Sequence, residues 1–260
     1  MAQTFNFWIF GDSFGVSNDI TEYYPELKSK YPTIPNRQEI IGTEWVKHIA
    51  EHFGYKYDDQ FNLARHGKSA DWYLMRLYRM IQKGSIRKGD FVLITATAET
   101  RFEYSTNIDK QFDFANPKYN DHLKTFHMPK PNQVFGQNNG VNDIIPDCIT
   151  TYMTLHQDPT WLSHLHLMKH EMIKGFLDSL GINCVIVQSI ACRIDTLPTN
   201  NLNWGKHPTH PNPMLLVEES ADEYNIDPRD RFNFYQCFKN HLSAKQNKVY
   251  ADQLIGFLND

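Results

Sequence analysis

The chain has 260 residues, with 26 Lys+Arg against 30 Asp+Glu, a formal net charge of -4 and a pI near 6.3. That mild acidity, without any Lys/Arg block, speaks against a nucleic-acid partner, and an aromatic content of 13% speaks against overall disorder. No apolar run reaches the length of a membrane span, and the N-terminal MAQTFNFWIFGDSFG lacks the basic start and small-residue cleavage site of a secretory signal. Four scattered cysteines, Cys148, Cys184, Cys192 and Cys237, fit reduced, mostly buried thiols in a chain made in the cytosol.

In chain order, FNFWIF (5–10) predicts a short buried strand ending at Gly11. TEWVKHIAEHFG (43–54) predicts a helix. Trp45, Ile49 and Phe53 recur four apart, Val46 supports the same face, Thr43 is placed to cap it and Gly54 to stop it. FNLA (61–64) reads as a second strand. Ser69 opens a helix whose apolar face comprises Trp72, Met75, Leu77, Tyr78 and Ile81, stopped by Gly84. DFVLITAT (90–97) is the clearest central strand. Residues 160–180 predict the longest helix, with Trp161, Leu165, Met168, Met172, Phe176 and Leu180 at helical spacing and Gly181 at its end. NCVIVQSI (183–190) is the fourth strand. The last helix runs from Ser243, at capping-box spacing from Gln246, to about Leu258.

Short apolar strands alternating with amphipathic helices predict an α/β fold, its sheet mainly parallel with helices on both faces. We read one domain over 1–260. Two stretches, 103–145 and 196–240, break the rhythm. They are rich in Asn, Pro and aromatics, and neither has enough periodic apolar structure to own a core. Long loops of this kind usually carry function or cover a site.

Three segments carry candidate chemistry. Gly11-Asp12-Ser13 follows the first strand directly, and open α/β sheets bind ligands at the carboxyl ends of their strands. Ser13 is either a nucleophile or an N-cap. His241 stands two residues before Ser243. It is either the base that a nucleophilic serine needs within hydrogen-bond reach, whatever the chain distance, or one loop histidine among 12. Asn62 to Gly67 follows the second strand. Gly67 either lets a backbone N–H approach a ligand or simply turns the chain before Ser69.

Other groups point to blander roles. His164, His166 and His170 share the long helix, but the H-E-x-x-H metal motif fails at Lys174, so they read as a solvated face and no metal or cofactor is assigned. His207 and His210 lie in KHPTHPNP and shape a loop. No phosphate-binding glycine motif occurs. Phe102, Tyr104, Phe112, Phe114, Tyr119 and Phe126 either stack on sugar rings or form a seam over the sheet.

Taken together, FWIFGDSFG, NLARHG and the histidine of NHLSAKQNKVYADQL resemble, in this order and over nearly the whole chain, three blocks of the GDSL/SGNH hydrolase family. The resemblance implies a flavodoxin-like three-layer α/β/α sandwich and hydrolysis of acyl esters, and the first functional reading is removal of acetyl or another small acyl group from an acylated carbohydrate. The resemblance assigns Ser13 as nucleophile, His241 as general base, and the backbone N–H groups of Ser13 and Gly67 to the oxyanion hole. There are two departures. The family's G-x-N-D block is replaced by Ile94 to Arg101, where Thr97 is the positional substitute for the Asn donor, with Arg101 or a water as alternatives. This ending resembles divergent members of bacteriophage genomes. The family's acid position, three before the histidine, holds Phe238. Asp230, Asp227 or a backbone carbonyl then fixes the imidazole tautomer, or a Ser–His dyad works alone. The competing reading is an idle SGNH-fold module used for binding or virion structure. The missing Asn and Asp support it.

Overall fold

The computed structural model describes residues 5–12, 15, 24–34, 45–65, 68–97, 101–105, 123–127, 159–188, 201–203, 221–231, 234 and 244–259. In chain order these form β1 (Phe7–Gly11), α1 (Tyr24–Lys30), α2 (Trp45–His52), a 3-10 turn (Asp59–Phe61), α3 (Ala70–Gln82), β2 (Phe91–Ala96), β3 (Arg101–Ser105), β4 (Leu123–His127), α4 (Pro159–Ser179), β5 (Asn183–Gln188), β6 (Asn201–Asn203) and α5 (Ala244–Asn259).

The sheet is parallel, in the order β1-β2-β5-β6, with Phe7 opposite Phe91 and Gly11 opposite Thr95. Every residue of β1 and β2 is buried, because helices cover both sides of the sheet. The period-two alternation of a strand divides the core. Phe7 and Ile9 pack with Phe91, Leu93, α2 and α5 on one face. Trp8 and Phe10 pack with Val92, Ile94, α3 and α4 on the other. At the amino edge, the buried Asp90 carboxylate accepts from Asn6 N at 2.9 Å and Trp8 Nε1 at 3.1 Å. The fold is thus α/β with a parallel sheet between helices. No helix among the described residues is long and apolar enough to cross a membrane.

Several elements differ from their sequence reading. Residues 61–64 are not a full strand. A line of chain from Lys56 to Arg65 follows the outer side of β1, touching it in ladder fashion at Lys56 and Asn62, because the 3-10 turn interrupts it. In α3, Ser69 caps the helix as expected, accepting from Trp72 N at 3.4 Å, and Gly84 follows it with φ +70°. The buried line, however, is Ala70, Trp72, Tyr73 and Leu77, while Met75 and Tyr78 are exposed.

α4 shows the largest difference. Its buried line is Ser163, His166, Leu167, His170 and Leu177, while Met172, 67% exposed, and Trp161, 59% exposed, from the expected apolar stripe lie outside. His166 and His170 are therefore buried rather than solvated. Burial is tolerated because the His170 ring is satisfied at both nitrogens. Nδ1 donates to the His166 carbonyl at 2.7 Å, and Nε2 accepts from the Tyr73 hydroxyl at 2.8 Å.

Both irregular stretches hold structure of their own. β3 and β4 form an antiparallel hairpin with Phe102 opposite Phe126. Residues 221–234 pack Ala221, Tyr224, Ile226 and Phe234 on Leu27 and Ile34 around α1, apart from the two sheet-facing cores. Cys184 is a free buried thiol, pushed up to about 12 by burial, and the other three cysteines lie outside the described residues.

Candidate active site at the carboxyl edge of the sheet

The carboxyl end of β1 is a knot of three chain segments. Gly11 has φ +127°, and a Cβ there would lie 2.1 Å from the Thr95 carbonyl oxygen, so glycine is required both by conformation and by space. The next N–H, of Asp12, donates to the Thr95 carbonyl at 3.0 Å and to Thr95 Oγ1 at 3.1 Å. Thr95 Oγ1 in turn donates to the Phe10 carbonyl at 3.4 Å. Gly15 N closes the turn onto the Asp12 carbonyl at 3.2 Å, and a Cβ at Gly15 would meet Thr95 Oγ1 at 2.8 Å.

The third segment follows the outer line beside β1. Leu63 N donates to the Ile9 carbonyl at 2.8 Å and Arg65 N to the Gly11 carbonyl at 3.1 Å. The Asn62 side chain reaches across, its Nδ2 donating to the Gly15 carbonyl at 2.8 Å while its Oδ1 accepts from Ala64 N at 3.2 Å. Asp12 and Gly15, on either side of residues 13 and 14, are therefore held by backbone and side-chain bonds. Ser13, Gly67 and His241 themselves lie outside the described residues.

α5 packs on the first residue of α2. Asn247 Oδ1 accepts from Trp45 N, the first residue of α2, at 3.3 Å. The Trp45 and Tyr250 rings meet edge-on with centroids 4.8 Å apart. Burial, and after it the negative charge of Asp12, pushes the Tyr250 phenol well above its ordinary range. α5 is thus packed against the start of α2, with Tyr250 within reach of the Asp12 charge.

Thr97 is wholly buried, and its N–H donates to the Tyr73 hydroxyl at 3.4 Å, toward α3. Asp230 belongs to the small cluster around α1. Its Oδ2 accepts from the Tyr31 hydroxyl and pairs with Lys30 Nζ at 2.5 Å, and these two bonds, Lys30 first, hold its carboxyl below the usual range. Asp227 is engaged by Arg229, whose Nη2 lies 2.8 Å from Asp227 Oδ2. Arg101 opens β3.

Sequence reasoning missed Thr95 and Tyr73. The signal for Thr95 was present, since a threonine inside an otherwise apolar strand needs a hydrogen-bonding reason. Tyr73 left none, because its partners come from β2 and α4. No protein-family model, no curated protein and no solved structure matches the chain.

Proposed function

We propose that this chain is a serine esterase of the GDSL/SGNH type, removing acetyl or another small acyl group from an acylated carbohydrate. The observation that carries the proposal is the turn after β1. Glycine is obligatory there, Thr95 and Asn62 clamp it, and the serine follows at the edge where parallel sheets place their chemistry. The strand arrangement supports the flavodoxin-like form of the fold. The second segment lies outside β1, and β2, β5 and β6 follow in order on the other side.

In this reading Ser13 Oγ attacks the ester carbonyl while His241 takes its proton. The N–H groups of Ser13 and Gly67, with the Thr97 hydroxyl, receive the oxyanion. Collapse expels the alcohol, to which His241 returns the proton, and a water repeats the cycle on the acyl-serine. Asp230 shares its charge with Lys30 and Tyr31, which favours a Ser–His dyad over a triad completed by this carboxylate.

The experiment combines hydrolysis of short p-nitrophenyl esters with fluorophosphonate labelling. Wild type turns over and gains an adduct on Ser13. Ser13→Ala and His241→Ala lose turnover by on the order of 10³-fold or more, and Asp230→Asn keeps most of it. A correctly folded wild type that neither hydrolyses nor labels sinks the proposal and leaves the idle binding or virion module.

A further inference from the structure

Exposed apolar surface is gathered on one face of this chain. Among the described residues, every large hydrophobic side chain that is exposed lies on α3, on α4 or just past the end of α4. α4 contributes Trp161, Met168, Met172 and Phe176, and Leu180 follows its last turn. α3 contributes Met75 and Tyr78. The two helices run side by side in the same direction. Asp71 pairs with Lys169 at 2.5 Å, and seven residues further along each helix the Tyr78 and Phe176 rings meet with centroids 5.9 Å apart. Met75 stands between those two contacts on the same side of α3. The exposed side chains therefore form one patch.

The size of the patch points to an interface. Its seven side chains carry on the order of 700 Å² of accessible surface, above the roughly 300–600 Å² of the largest patch on a typical monomer. A standard interface buries about 800 Å² on each partner. The border of the patch is electrically quiet. Lys169 is held by Asp71, and Lys174 by Asp178 at 2.8 Å. Such a rim selects neither an oppositely charged partner nor an anionic lipid surface, and it lets the face meet its own copy without strong repulsion. Both parts of a self-matching contact are also present. An open groove of about 370 Å³ is lined by Trp161, His164, Leu165, Leu167, Met168 and Glu171, and Met172, the most exposed side chain of the patch, stands one turn beyond it. A two-fold axis that sets projection against groove does so twice. We propose that α3 and α4 form the interface of a two-fold dimer, a second copy of this chain being seated on the Met172 stripe. The dimer does not depend on the esterase reading, because the groups it uses lie on α3 and α4 and at the end of α4.

Sedimentation equilibrium of the full chain tests it. Wild type is expected to exchange reversibly between monomer and dimer with a Kd in the micromolar range or below, as interfaces of this size do. Met172→Glu, in the stripe, should raise Kd by roughly a hundredfold or more, and Trp161→Lys, in the groove, by roughly tenfold or more. Both side chains are exposed in the single chain, so both variants should keep the wild-type urea midpoint at dilutions where wild type is monomeric. Oxidation by dilute peroxide, read by mass spectrometry, should slow at Met172 as the wild-type concentration rises. A wild type still monomeric at about 100 μM overturns the dimer. In that case, protection of Met172 relative to the urea-unfolded chain assigns the patch to another part of the same chain, and its absence to a different protein. A dimer of unchanged affinity in both variants also overturns the proposal, since the interface then lies elsewhere. So does a fall in the dilute urea midpoint of both variants, which would make the stripe part of the core.

Discussion

Two threonines two residues apart at the end of β2 do different work. Thr95 is part of the scaffold, since its Oγ1 and carbonyl both receive the Asp12 N–H. Thr97 faces the question of chemistry: its N–H donates to the Tyr73 hydroxyl, and in the esterase reading its own hydroxyl serves the oxyanion. Thr97→Val keeps the volume and removes that donor. It is expected to lower kcat ten- to a thousand-fold with little change in KM, as for an interaction made mainly in the transition state, roughly the range for one oxyanion donor. Steady-state hydrolysis of p-nitrophenyl acetate measures it. Wild-type turnover in that variant would move the role to Arg101. The sequence displays Gly11 and Thr97 because each ends a readable strand, and Asn62 because it stands in the short apolar FNLA run. It conceals the clamp itself, because Asn62 meets Gly15, and Thr95 meets Asp12, only after three segments have come together.

At the scale of elements, the strands were legible where long apolar runs are buried on both sides, and the α3 cap was legible in Ser69. α4 was not. A helix read by periodicity turns its most apolar stripe inward, yet here a less apolar line is buried because Tyr73 and a backbone carbonyl satisfy His170. Sequence spacing within one helix carries no trace of a hydroxyl supplied by another. The register makes a sharp prediction. Leu177, fully buried in the core with Ile182 and Ile186, should cost roughly 2–5 kcal/mol on substitution by alanine. Met172→Ala, on the exposed stripe, should stay within about 0.5 kcal/mol of wild type. Urea unfolding of the two variants decides the register, and the opposite ranking would put the stripe back in the core.

At the scale of the whole molecule, His170 ties global stability to pH. Burial lowers its pKa from 6.5 to about 4, outweighing the opposing bond to the His166 carbonyl, and the fold needs the neutral ring because Nε2 accepts from Tyr73. Below pH 6.5 the unfolded chain binds a proton that the native state refuses. The contribution is therefore intact above that pH and is lost as pH falls toward 4, amounting to about 2 kcal/mol by pH 5. His170→Gln has no such proton to bind. The drop in urea midpoint between pH 7 and pH 5 should shrink accordingly, and an unchanged drop would remove His170 from the account.

The two faces of the sheet close by the same kind of long-range step. Each face joins a helix near β1 in sequence to one far from it: α3 with α4 over Trp8 and Phe10, and α2 with α5, whose Tyr250, Ala251 and Leu254 reach Phe7 and Ile9 from the far end of the chain. Closing the chain over such separations belongs to the slow part of folding. The α5 residues that dry Phe7 and Ile9 are continuous with those that meet Trp45, so burying that face and joining α5 to α2 are one packing interface.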